Sequence, residues 1–450
     1  MNVPAFRSGV VVAALLLAAF WPVARWYGLR LDDGSDEPMG LFALLAAGGF
    51  LWRDRGRLGA TRSSLAAGTA ALAVYVLAFP VVPPMIRALA AILVAGTIFR
   101  WHRAPAGVWI LLLLSLPVVA SFQFYAGWPL RLGAAVVAEG FLRFTGLEVV
   151  REGVALLWEG QRIEVDVPCS GVRMLWTGLF FHGLLAAERR LSTVTLVWLT
   201  PLCVAFILLA NIARTILLFF KESGLMPLPE WTHDGIGVIV FALLMAGLFA
   251  LHRRIPLSRT REESPFSPPL PRRTGYAFLA AAAVAAAGVP FLDSAPASAG
   301  PRSSEVVWPT QWEGRDLIPV ALTKHEQSFA DSFPGSIAVF RTAEGPFSKR
   351  LILRRVERAT RKLHSSADCL RAAGCKLEEQ PDLRCGNGES WSVWSAKSAD
   401  GTRFRVRERL HEVKDPGRQW TDATNWFWSA ALGRTEGPWW AVTVIEAGEK

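Results

Sequence analysis

The chain has 450 residues, of which 52% are hydrophobic, and its mean hydropathy is +0.30. Such a composition, with long apolar runs, is typical of an integral membrane protein. The formal net charge is +10, but the arginines lie mainly in short segments between apolar runs. That distribution indicates cytoplasmic loops of a membrane protein, so we expect the lipid bilayer as a partner and exclude nucleic acid.

Nine apolar runs predict membrane spans in the first 292 residues. The second and fourth runs are short for a hydrocarbon layer about 30 Å thick. The first resembles the apolar core of a signal peptide, but Trp21, Arg25 and Trp26 follow it in place of small residues, which predicts a retained span. The runs lie near 9–28, 38–52, 64–83, 85–99, 106–123, 171–187, 193–220, 235–251 and 275–292.

The charges of the loops orient these spans. Alternate loops are rich in arginine, and the loops between them are acidic or mixed. By the positive-inside rule the N-terminus lies in the cytoplasm, and the 124–170 segment, the 221–234 loop and everything after about 293 lie outside. The arginine-rich loops contain Arg53, Arg55, Arg57, Arg62, Arg100, Arg103, Arg189, Arg190, Arg253, Arg254, Arg259 and Arg261.

The long 124–170 segment has structure of its own. Residues 130–145 show helical apolar spacing, which predicts a helix lying along the membrane interface. Residues 148–158 and 161–167 flank Glu159 and Gly160, a pair that indicates a hairpin turn. The second strand of this hairpin leads directly to Cys169.

These patterns predict an α-helical polytopic membrane protein followed by a soluble α+β domain. About eight core spans form a membrane domain over 1–257, a Pro- and Arg-rich cytoplasmic linker covers 258–274, and a ninth span at 275–292 leads to a domain at 300–450. In that domain we expect strands at 336–342, 350–358, 390–396, 403–411 and 438–446, and helices near 366–373 and 423–432.

Three successive predicted helix ends on the outer face carry one reactive group each: a thiol, a guanidinium and an imidazole. Cys169 precedes the sixth span, Arg214 lies near the outer end of the seventh, and His233 precedes the eighth. A helix N-terminus favours thiolate, an arginine in an apolar helix is costly unless it faces a polar cavity, and an imidazole transfers protons. These are the parts of a nucleophilic cysteine site.

Three neighbours are predicted to support this site. Ser170 is a favourable N-cap for the sixth span, Asn211 lies one turn before Arg214, and Asp234 is placed to orient or charge His233. The alternatives are structural: a small cysteine buried at a turn, an arginine that snorkels to the membrane surface and a solvated histidine at a helix end.

The other histidines and cysteines of the membrane domain do not indicate a functional site. His182 is expected to be a packed, hydrogen-bonded histidine and Cys203 a small hydrophobic residue within a span, while His102 and His252 are assigned to basic cytoplasmic loops. No paired-cysteine motif occurs, so we expect neither a metal site nor a cofactor.

The three motifs resemble the signature of the exosortase/archaeosortase family. The matching segments are 168–173, which holds Cys169, 211–214, which ends at Arg214, and 233–237, which begins at His233; the resemblance covers roughly 9–251. It implies a membrane cysteine protease or transpeptidase with Cys169 as nucleophile, His233 as acid and base, and Arg214 as stabiliser of the oxyanion. The implied partners are exported proteins with a C-terminal Pro-Glu-Pro-like motif, membrane helix and basic tail, and a glycan or lipid acceptor. The implied location is the outer face of the bacterial inner membrane, with the C-terminal domain in the periplasm.

The C-terminal domain is similar to the exopolysaccharide-biosynthesis companion domain of exosortases, through His364, Cys369 and Gly374. Ser366 stands where that pattern has proline. Two explanations remain for the cysteines of this domain, a second active site or a disulfide among Cys369, Cys375 and Cys385. We favour the disulfide, because clustered cysteines outside the cytoplasm normally oxidise.

Two other functions fit the same sequence. One is a non-catalytic membrane component of exopolysaccharide assembly or export, which does not need Cys169. The other is an intramembrane hydrolase that releases its product to water, which needs Cys169 but no acceptor.

Overall fold

The computed structural model describes residues 3–32, 38–164, 171–229, 231–256, 273–292, 306–331, 333–343, 349–372, 375–398 and 401–447. The chain forms two compact units, Met1–Ser294 and Ala295–Lys450. The linker expected at 258–274 lies almost entirely outside the described residues. The ninth predicted span belongs to the first unit, because its helix packs into that unit's core.

The described part of the first unit is built from helices. Three of them are long and apolar enough to cross a membrane, and a bent pair at the N-terminus would make a fourth. The helices are α1 (Val3–Ala19), α2 (Trp21–Asp32), α3 (Met39–Arg53), α4 (Arg62–Ala78), α5 (Pro84–Ile98), α6 (Gly107–Leu114), α7 (Val119–Phe144), α8 (Val172–Glu188), α9 (Thr193–Glu222), α10 (Thr232–Arg254) and α11 (Arg273–Leu292).

Two predicted spans are broken. The first is divided into α1 and α2, which meet at an angle of 60°; Pro22 lies in the first turn of α2, where a missing N–H does no harm. The fifth stops at Leu114 and the chain resumes as α7 after Pro117. The helix predicted at 130–145 is therefore the second half of a longer helix, α7, and not a separate element.

The hairpin predicted after α7 is present. Its strands are β1 (Val150–Glu152), β2 (Ala155–Trp158) and β3 (Gln161–Glu164), paired antiparallel. Glu159 and Gly160 form the turn with φ values of 46° and 76°, as two-residue hairpin turns require. Leu156 of β2 packs with Phe219 of α9, so the hairpin is held against the helix that carries Arg214.

The two largest apolar clusters among the described residues of the first unit join seven of its helices. One joins α1, α4, α5 and α11, with Leu16, Leu65 and Leu279 almost fully buried. The other joins α8, α9 and α10, with Ile207 and Leu244 at its centre. The second cluster positions the helices that bear the candidate site.

The second unit is an antiparallel sheet with three short helices. Its strands run in the order β4-β5-β6-β7-β12-β10-β9-β8, and β11 pairs with β10. All five predicted strands and both predicted helices are present; β4, β5, β8, β11 and α12 were not predicted. The elements are β4 (Gln311–Trp312), β5 (Arg315–Val320), α12 (Lys324–Asp331), β6 (Gly335–Thr342), β7 (Lys349–Val356), α13 (Ser366–Ala372), β8 (Lys376–Arg384), β9 (Ser390–Lys397), β10 (Arg403–Glu412), β11 (Gln419–Trp420), α14 (Ala423–Ala431) and β12 (Trp439–Ala447).

Candidate active site

Helix α8 begins differently from the prediction at the segment that follows the candidate thiol. Cys169 and Ser170 lie outside the described residues. The helix starts at Val172, and its N-cap is Gly171 in the left-handed conformation (φ 79°) with no side-chain cap. Gly171 thus occupies the N-cap position that was predicted for Ser170, and a glycine adopts this positive φ without strain.

Gly171 touches Asn211 of α9. A Cβ atom on Gly171 would lie 2.8 Å from Cγ and Nδ2 of Asn211, which is too close for any side chain. Asn211 itself is buried. The start of α8 therefore reaches α9 at the turn that precedes Arg214, as the predicted pairing of Asn211 with the site requires.

Arg214 has a nitrogen donor that the described residues do not use. Its side chain is half-buried, and its Nε is buried without a hydrogen-bond partner among them. The guanidinium lies beside the backbone of Gly237 on α10, where a Cβ would be 3.5 Å from Nε and 3.7 Å from Nη2. A buried donor of this kind is costly unless a ligand or another group satisfies it.

His233 is oriented by a carboxylate from the neighbouring helix. Its Nδ1 lies 3.0 Å from Oε1 of Glu222, at the C-terminal end of α9. A carboxylate only accepts, so Nδ1 donates and Nε2 is left with its lone pair. The same carboxylate oxygen accepts from Lys221 Nζ at 2.9 Å.

Glu222 was not predicted, and it takes the role expected of Asp234. Asp234 is exposed in the first turn of α10, whereas the contact to the imidazole comes from Glu222. The contact between Glu222 and His233 could hardly be predicted from the sequence. Eleven positions and a helix reversal separate Glu222 from His233, and a carboxylate at a helix end is usually solvated.

The structure brings Arg214 and His233 to neighbouring positions. Gly237, which touches the guanidinium, lies one turn after His233 on α10. The guanidinium thus lies one turn along α10 from the oriented imidazole, and the start of α8, which follows Cys169 in the sequence, reaches α9 one turn before Arg214. This arrangement can stabilise a developing negative charge and transfer a proton.

Three other residues set aside by the sequence analysis lie together elsewhere in the unit. His182 is buried and hydrogen-bonded as predicted, and Cys203 is buried as predicted. His252 was assigned wrongly to a loop: it lies within α10 and is 0% exposed. Because α10 continues through Leu251 to Arg254, His252 lies on a buried face of the helix.

The predicted disulfide is not formed in the structure, in which Cys369, Cys375 and Cys385 are free thiols. Cys369 pairs with a histidine instead: its Sγ lies 2.9 Å from Nε2 of His364. Nδ1 of His364 lies 3.0 Å from the carbonyl oxygen of Lys362, so Nδ1 donates and Nε2 accepts the thiol hydrogen. Desolvation raises the pKa of the Cys369 thiol, and the nearby Glu408 and Asp368 carboxylates add to this against the opposing charge of Arg354.

Comparison with known proteins finds a family match for the first unit. The family model described as transmembrane exosortase (Exosortase_EpsH) matches residues 2–250. No curated protein and no solved structure matches the chain.

Proposed function

Because the chain belongs to the transmembrane exosortase family, we propose that it is a membrane cysteine transpeptidase that cleaves C-terminal sorting signals of exported proteins. The observation that carries the proposal is the pairing of an unsatisfied, half-buried Arg214 with a carboxylate-oriented His233 at one end of α9 and α10. A cationic donor near an oriented imidazole is what a site for a developing oxyanion needs.

In the proposed mechanism His233 Nε2 takes the proton of the Cys169 thiol, and the sulfur attacks the carbonyl carbon of the scissile peptide. The resulting oxyanion lies beside the Arg214 guanidinium. His233 then returns its proton to the leaving amine, the C–N bond breaks, and a thioester remains on Cys169. Glu222 holds the imidazole with Nδ1 protonated, so that Nε2 performs both transfers.

The second half of the reaction releases the thioester. An amine or hydroxyl of a glycan or lipid acceptor, or water, gives a proton to His233 and attacks the thioester carbon. The thiolate leaves and recovers its proton from His233. Transfer and hydrolysis use the same residues and differ only in the nucleophile admitted.

The test is cleavage of a secreted reporter that ends in a Pro-Glu-Pro motif, an apolar helix and an arginine-rich tail, in cells that lack the wild-type enzyme. Cys169→Ala should abolish cleavage at unchanged protein level, whereas Cys375→Ala in the second unit serves as the cysteine control. Near wild-type cleavage by Cys169→Ala would refute the thiol mechanism and favour the non-catalytic component of exopolysaccharide assembly. Recovery of the cleaved reporter joined to a glycan or lipid would distinguish transfer from hydrolysis.

We also propose that the site faces the periplasm from the inner membrane, as the loop arginines indicate. A periplasmic reporter enzyme fused after Gly300 should be active, and the same fusion after Arg55 should be inactive. A fusion after His233 that reports a cytoplasmic position would contradict the proposed topology and the access of exported substrates.

A further inference from the structure

Three ligand-type side chains meet inside the α8–α9–α10 bundle, far from the candidate active site. His182, Cys203 and His252 are each 0% exposed, and their ligand atoms all lie within 4.8 Å of one another. His182 Nδ1 is 2.9 Å from His252 Nε2 and 3.5 Å from Cys203 Sγ. His252 and His233 lie near opposite ends of α10, about 28 Å apart at the helical rise of 1.5 Å per residue.

The hydrogen bonds around His252 fix its proton. Its Nδ1 lies 2.7 Å from the carbonyl oxygen of Leu248, which can only accept, so Nδ1 carries the hydrogen. In the neutral imidazole Nε2 then has a lone pair. That lone pair points toward His182.

The hydrogen bonds around His182 leave a second lone pair facing the first. Thr200 Oγ1 lies 2.8 Å from the carbonyl oxygen of Leu196 and donates its single hydrogen there. Thr200 Oγ1 therefore accepts from His182 Nε2 at 3.0 Å, and Nδ1 of His182 is the unprotonated nitrogen. With these tautomers two imidazole lone pairs face each other 2.9 Å apart. The Cys203 thiol can donate its one hydrogen to His182 Nδ1, which leaves the His252 lone pair without a donor, and a cation held between the three atoms would satisfy all of them.

We propose that His182, Cys203 and His252 bind a thiophilic metal ion of low charge, for which Cu⁺ is the fitting species. Imidazole and thiolate are the ligands that select Cu⁺ and Zn²⁺ over hard ions. Binding breaks the S–H bond of Cys203, forms a metal–sulfur bond and releases the proton to water, with no change of oxidation state.

The surroundings favour a monovalent ion. The three ligands supply one negative charge, so Cu⁺ gives a neutral site and Zn²⁺ leaves a net charge of +1. The site packs among apolar side chains such as Leu199, Ile207 and Leu248, where an uncompensated charge is costly.

The geometry needs only a small adjustment. Two imidazole nitrogens about 2.0–2.1 Å from one metal lie about 3.3 Å apart at a tetrahedral angle, compared with 2.9 Å here. The observed sulfur–nitrogen distance of 3.5 Å already matches such a site. His252 lies half a turn from the end of α10 at Arg254.

The experiment uses the full-length chain in detergent, with the other four cysteines replaced (Cys169→Ser, Cys369→Ser, Cys375→Ser, Cys385→Ser) so that Cys203 is the only thiol. The protein is titrated anaerobically with Cu⁺ and separately with Zn²⁺, each against a chelator, and bound metal is measured after desalting. The proposal predicts one Cu⁺ per chain, with sulfur and nitrogen neighbours by X-ray absorption, and at least a 100-fold weaker affinity for Zn²⁺.

Two further chains serve as controls. Adding Cys203→Ser should remove the Cu⁺, whereas adding His102→Ala, an exposed histidine outside the cluster, should leave it bound. Cys203→Ala provides a second deletion if the serine variant does not fold. Equal Cu⁺ uptake with and without Cys203 would overturn the proposal in favour of a hydrogen-bonded cluster with a shared proton. Preferential binding of Zn²⁺ would contradict the proposal that the site selects a monovalent ion.

Discussion

The two units of the chain bury arginine in opposite ways. In the second unit Arg354 directs its Nη2 to three acceptors, Glu408 Oε1, Ser366 Oγ and Thr443 Oγ1, inside a buried network. In the first unit Arg214 lies against the backbone of Gly237, and no carboxylate among the described residues forms an ion pair with it, as Glu408 does with Arg354.

The difference distinguishes a structural charge from a reactive one. The carboxylate of Glu408 neutralises Arg354 and accepts from Ser365 and Ser366 as well, so the network ties β7, β10 and β12 to the start of α13. Nε of Arg354 is also buried without a partner, so the difference lies in the counter-ion. Glu408 pairs with Arg354, whereas Arg214 has no carboxylate partner among the described residues. This is why we assign chemistry to Arg214 and stability to Arg354.

The largest expected effect is on the stability of the second unit. Glu408→Ala leaves the Arg354 charge buried without its counter-ion, which should lower the free energy of unfolding by about 3–5 kcal/mol. Arg350→Ala breaks the half-exposed pair with Glu326 and should cost no more than about 1 kcal/mol. Denaturant-dependent proteolysis of the full-length protein, read on fragments of the second unit, compares the two. Similar losses for both variants would show that the buried network is not structural.

Arg214→Ala should have the reverse pattern, with activity lost and stability kept. Removal of one charged donor at a developing oxyanion should lower the cleavage rate on the order of 10²–10³-fold. Arg214→Lys should not restore it, because an ammonium lacks the planar fork of the guanidinium.

The control for this prediction is Arg143→Ala, an exposed arginine at the end of α7, which should cleave the reporter normally. Thermal unfolding of each purified variant follows stability in parallel. A loss of folded protein as large as the loss of cleavage would make Arg214 structural and remove the contrast with Arg354.

A smaller effect is expected at Glu222. Glu222→Gln keeps the shape of the side chain but replaces the charged acceptor of His233 Nδ1 with a neutral one. Because both side chains are partly exposed (37% and 42%), we expect about a tenfold lower cleavage rate, well below the 10²–10⁴-fold contribution of a complete acid–base group. The control is Asp234→Asn, which changes an exposed carboxylate in the first turn of α10 and should leave the cleavage rate unchanged. Equal losses in the two variants would contradict the role of Glu222.

The smallest effect concerns the thiols of the second unit. Because the pKa of Cys369 is raised, its thiol stays protonated to a higher pH than an ordinary cysteine, and alkylation should accelerate only above that range. Mass spectrometry of the protein alkylated over a pH series gives the rate for each cysteine. If two of the three cysteines are alkylated only after reduction, the disulfide predicted from the sequence is present and the free thiols are contradicted.

How far the sequence predicts the structure depends on the range of the interaction. The five strands around Val393 and Val444 were predictable because short runs rich in apolar and β-branched residues are a local signal. The turn at Glu159 and Gly160 was predictable because a glycine supplies one of its two positive φ values without strain. Prolines were an ambiguous signal: Pro117 interrupts the chain between α6 and α7, yet Pro201 lies inside an unbroken α9.

For the site, the sequence predicts the placement of Arg214 and His233 at neighbouring helix ends, because helix order and polarity determine it. It does not predict the Glu222–His233 contact, the Gly171–Asn211 contact or the inward position of His252. Each of these depends on the rotation of one helix against another, which no pattern within a single helix specifies.

The position of α11 has a consequence for how this protein can be divided. The family match ends at residue 250, but Leu279, Ala283 and Ala286 of α11 complete the cluster around Leu65 and Leu72, and Trp21 Nε1 donates to the carbonyl oxygen of Ala287 at 3.0 Å. The segment that the family model matches is thus smaller than the segment that packs as one unit. A chain shortened to the matched region would present the α1–α4 face to lipid or to another chain, and a purified fragment of the first unit should therefore end after Leu292.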